Sequence, residues 1–156
     1  MAEYIPFQDR SLFDRIGSIA KGATLLPKYF GGDPYLRHQF NQDRYVEDLA
    51  QRFPGPRVSG GLLDSAINYA GAYDWSARPE VSPKDARDMA LAYQMYDSMF
   101  RDFGGRIPEE EELDYIQNMV GVEAGIKDRE KGYRMPYNDL LDAAARYAEE
   151  YTKSKK

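Results

Sequence analysis

The chain contains no cysteine in its 156 residues. That absence removes disulfides, thiol nucleophiles and cysteine-ligated zinc together, and it suits a reducing compartment such as the cytoplasm. Histidine occurs once, at His38. A serine or cysteine nucleophile generally needs an imidazole base, so any hydrolytic triad would have to run through that residue. No Gly-x-Ser-x-Gly turn, phosphate loop or dinucleotide glycine fingerprint accompanies it, and His38 is read as a structural side chain. Apolar runs never exceed a few residues, so no transmembrane segment is expected. The start, Met1-Ala2-Glu3-Tyr4, lacks a basic segment followed by an apolar one, and no cleaved signal peptide is expected. Positive charge is also scarce: 21 Lys and Arg against 26 Asp and Glu give a net charge of −5. A nucleic-acid binder usually shows a basic stripe. The basic cluster here is the tail Lys153-Ser154-Lys155-Lys156, which reads as a helix end, so nucleic acid is not an expected partner.

What is present is a soluble composition, 42% hydrophobic and 30% charged, on a chain long enough for one packed domain. Tyrosine dominates the aromatics, with 13 tyrosines and 7 phenylalanines against one tryptophan. Tyrosine suits a surface with one dry and one wet side, either as the rim of a core or where two proteins meet. Tyr93, Tyr96, Tyr147, Tyr151 and Trp75 are the candidate contact residues.

Helical periodicity recurs along the chain, and no alternating strand pattern does. After an extended start near Pro6, a first helix is expected from Asp9 or Ser11, with Leu12, Phe13, Ile16, Ile19, Ala20 and Ala23 as a core-facing stripe. Asp33-Pro34 opens a second helix reaching about Phe53, weakened in the middle by the polar run from His38 to Arg44, and Pro54-Gly55-Pro56 ends it. Ser59 is placed as the cap of a short helix with Leu62, Leu63, Ala66, Ile67, Ala70 and Tyr73 inside, followed by a loop from Asp74 to Val81 that holds Trp75. Ser82-Pro83 starts the strongest helix, which is expected to reach Phe103 and stop at Gly104-Gly105. Pro108 opens another, with Leu113, Ile116, Val120 and Ala124 as its apolar stripe, broadened by Met119, Val122 and Ile126. The last helix begins near Met135-Pro136 and buries Tyr137, Leu140, Leu141, Ala144, Tyr147, Ala148 and Tyr151. The expected fold is all-α: a compact bundle of five or six helices with an N-terminal arm. The boundary is set at 1–57 for the arm and first helices and 58–156 for the C-terminal bundle, with one continuous domain as the alternative.

Candidate chemistry is thin. Glu109 to Glu112 sit where a helix N-terminus favours carboxylates, and Asp139 and Asp142 do the same in the last helix. No metal site or cofactor is expected, because such a site draws carboxylates together from separate elements. Glu123, between Gly121 and Gly125, is the alternative acid: held against an apolar wall its pKa would rise, and Asp114 or Asp128 would be the second carboxylate of a glycosidase-like pair. Gly121 and Gly125 lie four apart on one helix face and imply close approach of another backbone. The helix beginning at Pro83, or the last helix, is the expected partner at this notch, with Asn118 one turn earlier bonding across it.

The run Asp85-Ala86-Arg87, the helix onward to Phe103-Gly104, and Leu113-Asp114 followed by Asn118-x-x-Gly121-x-x-x-Gly125 resemble a pattern found in small helical proteins of phages and bacteria. The resemblance spans about residues 82–131, and Asp88 stands where that pattern has a histidine. It implies no settled activity, but it associates the chain with virion or envelope proteins. The first expectation is therefore a non-enzymatic structural or interaction protein, such as a phage virion component or accessory protein, acting on a protein partner or on copies of itself in the cytoplasm or the virion. A carboxylate-dependent cell-wall hydrolase and a small acidic regulator of a host protein are the alternatives.

Overall fold

The structure is a computed structural model that describes the backbone at residues 11, 13, 16–18, 20–21, 34–58, 60–96 and 108–154. Its side chains are described at the N-terminal positions just given and at 42–58, 60–92 and 113–152. The described residues form an all-helical fold without strands. Five helices follow one another: α1 (Pro34–Arg52), α2 (Leu62–Ser76), α3 (Pro83–Tyr96), α4 (Pro108–Glu130) and α5 (Tyr137–Ser154). A further helical segment is described in part, at Phe13, 16–18 and 20–21.

The helix boundaries follow local chemistry. Proline occupies the first position of α1, α3 and α4, where the missing N–H has no intrahelical role. Ser82 caps α3 by accepting the Asp85 backbone N–H at 3.1 Å, and Asp85 adds a carboxylate to the positive end of the helix. Helix α1 runs unbroken through its polar middle and stops at Pro54, with Gly55 at φ 121°. Helix α4 ends in a Schellman motif. Tyr133 N–H returns to the Asp128 carbonyl and Gly132 N–H to the Arg129 carbonyl, both at 2.9 Å, with Gly132 at φ 70°.

Helix α2 is the axis of the bundle and packs against each of the other four helices. All of its residues but Leu62 and Tyr69 are buried. Ser65, Ala66, Ala70, Gly71, Ala72 and Ser76 lie around its circumference, so neighbours approach from every side. On one flank, a Cβ at Gly71 would lie 2.8 Å from the Gln42 Cγ of α1. Tyr45, Leu49, Ile67, Ala70, Leu140, Leu141, Ala144 and Ala148 form the core between α1, α2 and α5. Ala72, Trp75, Val81, Ala86, Met89, Val122 and Ile126 form a second core between α2, α3 and α4. Since Tyr45 and Leu49 belong to the first core, a cut at residue 57 does not separate α1 from the bundle.

Four expectations are corrected. Trp75 lies in the last turn of α2 rather than in a loop, and at 5% exposure it is a core residue, not a contact surface. Gly61, in extended conformation, occupies the N-cap of α2; Ser59 lies outside the described residues. Phe13 and Ile16 are exposed by 85% and 53%, so the first helix does not bury its stripe at these positions. Helix α4 is rotated from the Ile116–Val120 stripe of its pattern, although Val122 and Ile126, which broaden that stripe, are buried as expected. Ile116 and Val120 are 39% and 40% exposed, while Asp114, Gln117 and Asn118 are buried. Ala20, another position of the first helix's stripe, is exposed; Leu12, Ile19, Ala23, Phe103 and Gly104-Gly105 lie outside the described residues, as do the side chains of His38, Tyr93, Tyr96 and Glu109 to Glu112.

Candidate functional site

The rotation of α4 originates in its glycines. A Cβ at Gly121 would meet the Tyr69 carbonyl oxygen at 2.6 Å and the Ala72 Cβ at 2.9 Å. One at Gly125 would meet Ser76 Oγ at 2.1 Å and both Ala77 N and the Tyr73 carbonyl oxygen at 2.9 Å. The element seated in this notch is therefore α2, not α3 or α5 as the sequence implied. Asn118 is 1% exposed on the same face. No side chain larger than hydrogen fits at these two positions, and that fixes which side of α4 turns inward.

Glu123, the alternative acid, is not set against an apolar wall. Arg87 Nε and Nη2 donate to its two carboxylate oxygens at 2.6 and 2.9 Å. These bonds from Arg87 hold the carboxyl below its ordinary pKa, the reverse of what a general acid needs. Its suggested partners are engaged elsewhere. Asp128 accepts the Tyr73 hydroxyl at 2.5 Å, and Asp114 accepts Asn68 Nδ2 at 3.3 Å. Glu123 and Asp114, nine residues apart along one helix, are separated by roughly 13 Å of axis. The three carboxylates thus serve three different neighbours and do not converge.

Two polar constellations missed by the sequence reading take their place. The first is a buried network across α1, α2 and α4. Asn68 Nδ2 donates to Gln117 Oε1 at 2.8 Å as well as to Asp114, and Gln42 Nε2 donates to Asn68 Oδ1 at 3.2 Å. Gln117 Nε2 donates to Ser65 Oγ at 2.8 Å. At the rim Arg57 Nε pairs with Asp64 Oδ1 at 2.7 Å, and its Nη2 reaches Gln42 Oε1 and Asn68 Oδ1 at 3.3 Å each. Gln117 and Ser65 are both 0% exposed. Mutual bonding is what makes burial of such amides tolerable, and it fixes the relative register of three helices.

The second constellation surrounds Asp74, whose side chain is 4% exposed in the last turn of α2. Three guanidinium groups converge on it. Arg44 Nη1 and Arg78 Nη2 approach Oδ2 at 3.5 and 3.6 Å, and Arg134 Nη2 binds Oδ1. Beside it the Tyr73 hydroxyl accepts the Met135 N–H at 2.9 Å while donating to Asp128. Next to Arg134 opens a cleft of about 660 Å3 lined by Ala77, Pro79, Arg129, Glu130, Gly132 and Tyr133. Arg129 Nη2 donates to the Pro79 carbonyl at 3.0 Å across the cleft wall. In the sequence only the Asp74–Arg78 spacing of four hints at this cluster. Arg44 and Arg134 lie 30 and 60 residues away, beyond any local pattern.

Of the candidate contact tyrosines, Tyr147 and Tyr151 stack on each other and on the tyrosines of α2. Tyr73, Tyr69, Tyr147 and Tyr151 form a series with ring centroids 6.5, 5.0 and 5.9 Å apart along α2 and α5. Tyr45 and Tyr137 stack at 5.2 Å. Burial pushes the hydroxyls of Tyr45, Tyr69 and Tyr73 up in pKa, and those of Tyr137 and Tyr147 up to about 12. Tyr147 and Tyr151 are half-buried.

Among the described residues no helix is long and apolar enough to cross a membrane, and no group of three or more His, Asp or Glu is placed to hold a metal ion. Comparison with known proteins returns no matching family model, curated protein or solved structure.

Proposed function

We propose that this is a non-enzymatic structural or interaction protein, and that the outward side of α4 is its contact surface. The observation that carries the reading is the reversal on that helix. Its polar Gln117 and Asn118 are buried, while Ile116 and Val120, one turn apart, are exposed by 39% and 40%. Single exposed apolar residues are ordinary; an apolar stripe on a helix that hides its amides suits burial against a second protein or another copy of the chain. Leu113, half-buried, extends the stripe by a turn. A phage origin and a place in or near the virion complete the proposal, resting on the pattern around Asp85-Ala86-Arg87 and Asn118 to Gly125. The candidate acid Glu123 is held ionised by Arg87, which favours contact over hydrolysis.

The test is a paired substitution, Ile116→Glu with Val120→Glu. Light scattering on a sizing column and cross-linking in the native host should show loss of the oligomer or partner complex, with the circular dichroism spectrum unchanged. Glu123→Gln should leave the association intact. Unaltered association in the double variant, or clearance of a peptidoglycan suspension abolished by Glu123→Gln, would overturn the reading.

A further inference from the structure

We propose that the cleft between the end of α4 and the end of α2 is a binding site for a small phosphate monoester, its anionic end held by Arg129 and Arg134 and its apolar body lying on Tyr133 and Pro79. The argument starts from donor arithmetic. Each guanidinium offers five N–H groups, whereas a carboxylate accepts about four hydrogen bonds. Arg44, Arg78 and Arg134 all address the one carboxylate of Asp74, so most of their donors are left over. The Arg44 and Arg134 side chains remain 44% and 43% exposed, which leaves those donors within reach of solvent and solutes. Pairing Asp74 needs one guanidinium, at most two. Of the three, Arg134 is the one that lines the cleft; it is bound to Asp74 Oδ1, and that bond leaves its other donors over.

The cleft has the dimensions and mixture expected of a ligand site. Its volume of about 660 Å3 lies within the range of small-molecule pockets, roughly 300–1,000 Å3. Arg129 adds a second guanidinium whose assigned bond, to Pro79, uses one of its donors. Two guanidinium groups on one cleft match a dianion better than a single carboxylate, and planar N–H pairs fit tetrahedral phosphate oxygens. Tyr133, 48% exposed, and Pro79 supply an apolar wall beside the charges. Helix ends at this face would oppose an anion if their carbonyls were open. They are partly closed: the Tyr73, Asp128 and Arg129 carbonyls each accept a backbone N–H. The positions are also rigidly set, because the Schellman turn orients residues 129–134 and the Asp74 pair anchors Arg134.

The opposing charges are Glu130, which lines the cleft, Asp74, which is paired with Arg44, Arg78 and Arg134, and Asp128, which is occupied by the Tyr73 hydroxyl. Glu130 supplies the sharpest test, because removing a negative charge should help an anion and harm a cation. Calorimetric titration of the full chain with phenyl phosphate should show saturable binding. Inorganic phosphate should bind several-fold more weakly, and phenol not at all. Arg129→Gln should weaken phenyl phosphate about tenfold, since it removes a charge-assisted bond, while Glu130→Gln should tighten it by about threefold. Neither substitution touches the Asp74 cluster, and helicity of both variants is checked by circular dichroism. Absence of saturable heat with phenyl phosphate, equal affinity for inorganic phosphate, or an unchanged affinity in Arg129→Gln would overturn the proposal and leave the arginines as clamps on Asp74 alone.

Discussion

Glycine at 125 and glycine at 17 occupy helical positions with opposite surroundings. Alanine ordinarily stabilises a helix by about 1 kcal/mol relative to glycine. At Gly17 no atom lies within 4 Å of an added Cβ, so Gly17→Ala should be neutral or slightly stabilising. At Gly125 the added carbon would meet Ser76 Oγ at 2.1 Å and backbone atoms at 2.9 Å. Gly125→Ala should therefore destabilise by roughly 1–3 kcal/mol through overpacking, read as a lower urea midpoint. Ionisable residues give a second expectation at this scale. The Glu123 pKa is depressed by Arg87, so the pair's contribution is fully present above the ordinary carboxylate value and lost as the pH falls through the folded one. Both partners are about one-third exposed, so solvent screening holds the gain to about 1 kcal/mol. Arg87→Gln should remove that amount at neutral pH and almost none in acid that has protonated the carboxyl in the folded protein. Equal destabilisation at both pH values would mean the side chain acts by packing, not charge.

Helix α4 shows where sequence patterning works and where it misleads. Its start at Pro108 and the intimate approach of another backbone at Gly121 and Gly125 were readable, because each depends on residues close along the chain. Its inward face was not. Apolar periodicity chose Leu113, Ile116, Val120 and Ala124, broadened by Met119, Val122 and Ile126. Of these only Val122 and Ile126 are fully buried, because steric closeness at the glycines and bonding of Gln117 to Asn68 and Ser65 turn the side opposite Ile116 and Val120 inward. Those partners sit 49 and 52 residues away, so no window along the chain reveals them. Asn68→Ala should bear this out at the level of helix packing. It leaves Gln117 and Gln42 short of partners and should cost at least about 2 kcal/mol in chemical denaturation. Asn68→Asp should also destabilise, since it sets a third carboxylate beside Asp64 and Asp114. A stable Asn68→Ala protein would show that water replaces the amide without loss.

For the molecule as a whole, the tyrosines determine behaviour in alkali. Tyr45, Tyr69, Tyr73, Tyr137 and Tyr147 all have hydroxyl pKa values raised by burial. A raised folded value favours the folded state below the unfolded pKa, near 10, and that support disappears as the pH climbs through the folded values. Unfolding should be steep between about pH 10 and 12, with tyrosinate absorbance at 295 nm rising together with loss of the helical dichroism. Gradual tyrosine ionisation with helicity intact would contradict it. The all-helical architecture was apparent from periodicity alone; the arginine cluster on Asp74 was hidden because three distant segments meet there. The enclosed position of α2 has a further consequence for deuterium uptake. Because α2 touches all four of the other helices and is buried along nearly its whole length, freeing it means breaking its contacts with every one of them. Its amide protons should therefore exchange last, at the rate of complete opening, and outlast those of α3 and the final turns of α5.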